Sequence, residues 1–109
     1  AHSIVVDGDR AVGRIWIDRT PDEIRLLDLA IRDRDRGRGI GTRLLRELQD
    51  EARRAGVPLR HSVVKANVDA LRLYRRLGFA VVGDLPTHHA MEWVASQGGP
   101  DAGVENTAS

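Results

Sequence analysis

The chain has 109 residues, 17 basic and 16 acidic side chains, and a net charge of +1. That length holds one domain, and so small a charge argues against nucleic acid as the main partner. Cysteine is absent, which excludes disulfides, thiolate metal sites and a cysteine nucleophile. No apolar run reaches the length of a membrane span and no secretory leader is visible, so the expectation is a cytoplasmic protein with no membrane partner.

His2 to Asp7 reads as a short strand, Asp7-Gly8-Asp9 as a turn, and Arg10 to Arg19 as a second strand. Together they predict an antiparallel hairpin. Thr20-Pro21-Asp22 breaks the chain. Glu23 to Ile31 is a third strand, apolar at nearly every position except Arg25 and Asp28. Such a run predicts a central strand covered on both faces. Ile40 to Ala55 carries apolar residues at 40, 44, 45, 48, 52 and 55, the stripe of an amphipathic helix. Arg43–Glu47 and Asp50–Arg54 stand four apart on its outer face. Gly56 and Pro58 end it. Leu59 to Lys65 is a fourth strand, Val68 to Leu77 a second helix stopped by Gly78, and Phe79–Asp84 and His88–Val94 are two closing strands. From Ala95 the apolar pattern fails, which predicts a domain over 1–94 and a flexible tail over 95–109. The order is β-β-β-α-β-α-β-β, an α+β fold with helices packed on a mixed, mostly antiparallel sheet.

The third strand and first helix are joined by Arg36-Gly37-Arg38-Gly39-Ile40-Gly41-Thr42. A glycine-rich turn between strand and helix presents free backbone N–H groups to an anion. The helix dipole adds about half a positive charge at the same end. Arg34, Arg36, Arg38 and Arg43 bring full charges, which suit phosphate. Of the chain's basic residues only Lys65 is lysine. The loop lacks the lysine of a P-loop and the G-x-G-x-x-G of a dinucleotide fold. It reads as a cradle for a pyrophosphate-bearing cofactor.

The loop spacing is Arg-x-x-Gly-x-Gly. Further on, Asn67, Ala70, Leu73, Tyr74, Gly78 and Phe79 fill the pattern Asn-x-x-Ala-x-x-Leu-Tyr-x-x-x-Gly-Phe. In this order and spacing the two motifs resemble the GNAT superfamily of N-acetyltransferases over roughly residues 4 to 94. The resemblance implies acetyl-CoA as cofactor and direct transfer of its acetyl group to a primary amine on a small molecule or a protein. It implies that Arg36, Gly37, Arg38, Gly39, Gly41 and Thr42 hold the pyrophosphate. It also implies a bulge in the third strand, where backbone N–H groups near Leu29 to Ile31 hold the pantetheine arm and polarise the thioester. Tyr74 becomes the proton donor to the departing thiolate; its competing role is a core aromatic. Asn67 becomes a pantetheine contact; its competing role is the N-cap of the second helix.

The general base is less defined. The strand position where the family often places a Glu falls on Arg25. Glu23 stands two residues away on the same face and ranks slightly above Asp28. A regular strand turns Asp28 to the other face, and a bulge would bring it back. His88, His89 and Glu92 do not read as a metal site, because adjacent strand histidines point to opposite faces. His61 and Lys65 read as ordinary strand residues, and Trp16 and Trp93 as packing residues. The family's opening strand and helices, which wall the acceptor side, have no counterpart here. A truncated sequence, an open groove or a covering subunit would each account for that, and the last implies a homodimer. The alternative to an enzyme is a non-catalytic acyl-CoA-binding or regulatory module.

Overall fold

The computed structural model describes residues 2–95. The tail expected over 95–109 therefore falls, from residue 96 onward, outside the described residues. The elements run β1 (His2–Asp7), β2 (Arg10–Arg19), β3 (Ile24–Ile31), a 3-10 turn (Asp33–Asp35), α1 (Ile40–Ala55), β4 (Leu59–Val64), α2 (Val68–Arg76), β5 (Ala80–Asp84) and β6 (His88–Trp93). The strands form one six-stranded sheet in the order β1-β2-β3-β4-β6-β5. Only β3 and β4 run parallel; the other neighbours are antiparallel. No helix among the described residues is long and apolar enough to cross a membrane.

Alternation along the strands sets the core. Leu59, His61 and Val63 of β4 are buried while Ser62 and Val64 are exposed. Both helices pack on that buried face. Leu45, Leu48 and Ala52 of α1 join Tyr74 of α2, Leu77 and Phe79 in one cluster with Ile24, Leu26 and Met91. Gln49, also buried, donates to the Leu77 carbonyl oxygen at 2.8 Å and ties the two helices together. The opposite face is largely uncovered: Ile4, Val6, Trp16, Val64 and Val82 are exposed. The structure thus corrects two expectations. β3 is central but not covered on both faces, since Leu27 is 49% exposed. Trp16 is not a core packing residue, at 49% exposed, whereas Trp93 packs against the core beneath the Arg53 guanidinium. On α1, Asp50 pairs with Arg53 rather than Arg54.

Candidate active site

Two irregularities of β3 open the site. Its register with β2 slips between Trp16 and Ile17: Trp16 faces Asp28 and Ile17 faces Leu26, so Leu27 is an extra residue. The resemblance implied a bulge with its N–H groups near Leu29 to Ile31; the irregularity stands earlier, at Leu27. An odd insertion reverses the alternation beyond it. Ile24 and Leu26 face the core before the bulge. Leu29, opposite buried Ile15, faces it afterwards, and Asp28 turns to the other side with Trp16. The second irregularity is the partnership with β4, which consists of Ile24 opposite Leu59 and Arg25 opposite Arg60. Beyond those rungs the strands part. A cleft of about 200 Å³ opens between them, lined by residues 26–29 and 61–64 of the two strands and by Asn67, Ala70 and Tyr74. Leu29 and Asp28 line the cleft; Ile31 and Glu23 do not.

The glycine loop leads into α1. Gly37 and Gly39 both hold φ of +78°, in the left-handed region where a Cβ is strained. Gly39 is the N-cap of α1, and no side chain caps the helix. Among the described residues, no carbonyl takes up the N–H groups of residues 39–42; the next amide, that of Arg43, is bonded to the Gly39 oxygen. A row of uncommitted donors at a helix N-terminus is a site for an anion. Gly41 stands apart from the other two. Its φ is ordinary, and no protein atom would meet a Cβ built on it within 4 Å. Neither backbone nor packing demands glycine there, so its open space is left for something outside the chain.

The arginines divide into two groups. Arg34 and Arg43 are exposed. Arg38 lies between Asp35 and Asp7, at 3.2 Å from each, and Arg36 donates through Nε to the Ile31 carbonyl oxygen at 3.1 Å. Asp35 is 1% exposed and also accepts from Arg10 of β2. The charge of Arg38 is therefore shared with two carboxylates of its own chain. Its guanidinium and the Asp35 carboxylate brace the loop against the first hairpin. Sequence reasoning missed Asp35, although an aspartate inside an arginine-rich turn was the available signal.

Around the cleft, Asn67 is the N-cap of α2, its side-chain oxygen accepting from Ala70 N–H at 3.2 Å. The capping role is thus present, and its amide nitrogen stays available beside the cleft. Tyr74 is buried, and burial pushes its phenol pKa up. The phenol is held neutral well past physiological pH, and among the described residues its hydroxyl makes no hydrogen bond. Its ring meets Phe79 edge-on, with centroids 5.4 Å apart, and His61 in a tilted stack at 3.9 Å. His61 is 4% exposed, and both ring nitrogens lack a partner among the described residues. Burial, helped by the charge of Arg25, lowers its pKa to about 4, so the imidazole is neutral at neutral pH.

The two base candidates sit differently. Glu23 is bonded to Arg25 at 3.0 Å and to Arg60 at 3.1 Å, and these bonds pull its carboxyl below the usual range. Asp28 lines the cleft and accepts from Arg14 at 2.7 Å. Lys65 pairs with Asp84, and His88 shares a hydrogen with the Thr87 hydroxyl at 2.7 Å. A protonated phenol and a carboxylate thus line one cleft, and the N-terminus of α1 adds a run of amides without a capping side chain.

A family profile described as an acetyltransferase (GNAT) domain matches residues 1–81. Over 57 residues the chain is 37% identical to the L-methionine sulfoximine/L-methionine sulfone acetyltransferase of Pseudomonas aeruginosa. That match covers 51% of this chain and 33% of the relative, so the chain spans about a third of the curated relatives it matches. The fold superposes on the ribosomal-protein-S18-alanine N-acetyltransferase of Escherichia coli with a TM-score of 0.77 at 24% identity, covering 91% of this chain and 71% of that one. It superposes equally, at 0.77 and 21% identity, on the coenzyme A complex of the PaiA N-acetyltransferase of Thermoplasma acidophilum, covering 86% and 60%.

Proposed function

The chain belongs to the GNAT acetyltransferase family, and from that premise we propose that it moves an acetyl group from acetyl-CoA directly to a primary amine. The observation that carries this reading is the row of uncommitted amides over residues 39–42, together with a cleft lined by Tyr74 and Asp28. Acetyl-CoA would supply an activated thioester. Its diphosphate suits the amides of Gly37 to Thr42, with Arg34 and Arg43 adding charge nearby. Its pantetheine arm suits the cleft, where the bulged backbone at 27–29 and the Asn67 amide offer hydrogen bonds. Donors aimed at a developing oxyanion lower the barrier to acyl transfer.

Tyr74 holds the proton that a departing thiolate requires, and burial keeps that proton in place until it is needed. Asp28 is the better candidate to receive the proton the amine loses, reversing the ranking drawn from sequence. It lines the cleft, while Glu23 is held as a carboxylate by two guanidiniums and is a weak base for that reason. A small-molecule or protein amine as acceptor is in keeping with a relative named for an amino-acid derivative.

A thermal-shift titration with acetyl-CoA tests cofactor binding: a rise in midpoint with ligand is expected. Thiol release across a panel of small-molecule and peptide amines tests turnover. No rise with acetyl-CoA refutes the cofactor reading. A rise without thiol release from any amine refutes catalysis and leaves a binding module.

A further inference from the structure

His61 is the buried ionisable group that the reaction above does not use. On β4 it occupies a core-facing place between Leu59 and Val63, where an aliphatic side chain would complete the pattern. Across the strand it faces Met91. An imidazole carries at least one N–H, and here both ring nitrogens are buried without a partner among the described residues. Leaving such a group unmatched destabilises a fold, and each native instance calls for a reason. The reason is visible in what the ring touches. Its centroid lies 3.9 Å from that of Tyr74 with the planes tilted by 50°, and 5.1 Å from Phe79, edge-on. A tilted stack of this kind lets a ring N–H approach the π face of the phenol.

Resting on the acetyl-transfer reading for its purpose, we propose that His61 is a positioning residue for Tyr74: its uncharged ring sets the direction of the phenol and eases release of its proton. A purely aliphatic wall would hold the phenol in a drier, less polar place and make it a poorer acid. A protonated imidazole would be repelled by the charge of Arg25, which acts on it from the other face of the sheet, so the neutral form is the working one. Tyr74 itself is the titratable group facing it from α2, while Met91 of β6 and Phe79 contribute no charge.

The test uses the fact that Tyr74 is the chain's one tyrosine. The ultraviolet phenolate band therefore titrates this residue alone. His61→Leu, with His61→Met as a second apolar variant, should move that titration up by about one pH unit. His61→Gln, which keeps a polar group, should restore part of the difference. In turnover, His61→Leu should lower kcat about tenfold and leave the KM for acetyl-CoA unchanged. In a Tyr74→Phe background it should have no further effect, because it acts through the phenol. An unmoved phenolate titration in both apolar variants overturns the inference, whether or not the protein turns over. A shifted titration in a protein that acetylates no amine supports the contact and refutes the acetyl-transfer reading instead.

Discussion

His61→Leu should remove a specific part of the protein's sensitivity to acid. In the fold the imidazole pKa is lowered from 6.5 to about 4, first by burial and then by the Arg25 charge. The unfolded chain thus binds a proton that the folded chain refuses, over the interval between those values. Stability from this group is complete above pH 6.5 and is lost as the pH falls toward 4. At 1.36 kcal/mol per pKa unit the full loss approaches about 3 kcal/mol, with about 2 kcal/mol of it between pH 7 and pH 5. Urea unfolding of wild type and His61→Leu at half-unit steps of pH reads this directly. Glu23, Glu51 and Asp84 also have lowered pKa values and lose stability in acid. They do so in both proteins, so the difference between the two curves isolates His61. Tyr74, the ionisable group stacked on it, has its pKa raised from 10 and so stays protonated throughout this interval. The two curves should diverge below pH 6.5. Parallel curves between pH 7 and pH 5 would falsify the account of a buried, neutral imidazole.

Gly41→Ala should raise the unfolding free energy by about 0.5–1 kcal/mol, as alanine does inside a helix, while weakening acetyl-CoA binding. Gly41→Asp should abolish the thermal shift with acetyl-CoA, and an undiminished shift would remove this residue from the cofactor site. Gly39→Asp should do the same and also destabilise the apo protein, since it adds a Cβ at φ +78°. Tyr74→Phe should lower kcat about a hundredfold with little change in acetyl-CoA affinity, and an unchanged kcat would take the phenol out of the reaction. Gln49→Leu should cost about 1–3 kcal/mol in a urea melt by leaving the Leu77 carbonyl buried and bare.

Element order was legible because hydrophobic period and punctuation agree along this chain. Thr20-Pro21-Asp22, Gly56-Val57-Pro58 and Leu85-Pro86-Thr87 each separate elements whose observed ends lie within a residue of those expected. Less legible were features that depend on a neighbouring strand. Periodicity alone cannot show that Leu27 is an extra residue; only pairing with β2 reveals it. Which face of β3 lies open depends on where both helices dock, so Leu27 and Trp16 read as covered when they are not. Gln49 and His61 sit on apolar stripes, and their alternation marks them as buried without naming a partner. The loop before α1 was visible as glycine spacing. Its bracing was not, because Asp35 reaches back to Arg10, 25 residues away.

The parting of β3 from β4 has a mechanical side. Two rungs stitch the left and right halves of the sheet, and the Glu23–Arg60 ion pair, the Ile24 N–H to Pro58 oxygen bond and helix packing supply the remaining adhesion. That makes the seam the weakest line in the molecule, along which the halves can breathe. Amide hydrogens at 27–29 and 62–64 should exchange faster than those of the β1–β2 and β4–β6 ladders. A long, flexible ligand lodged in the gap would act as a clasp, so slowed exchange on both banks of the seam would report occupancy even when no chemistry follows.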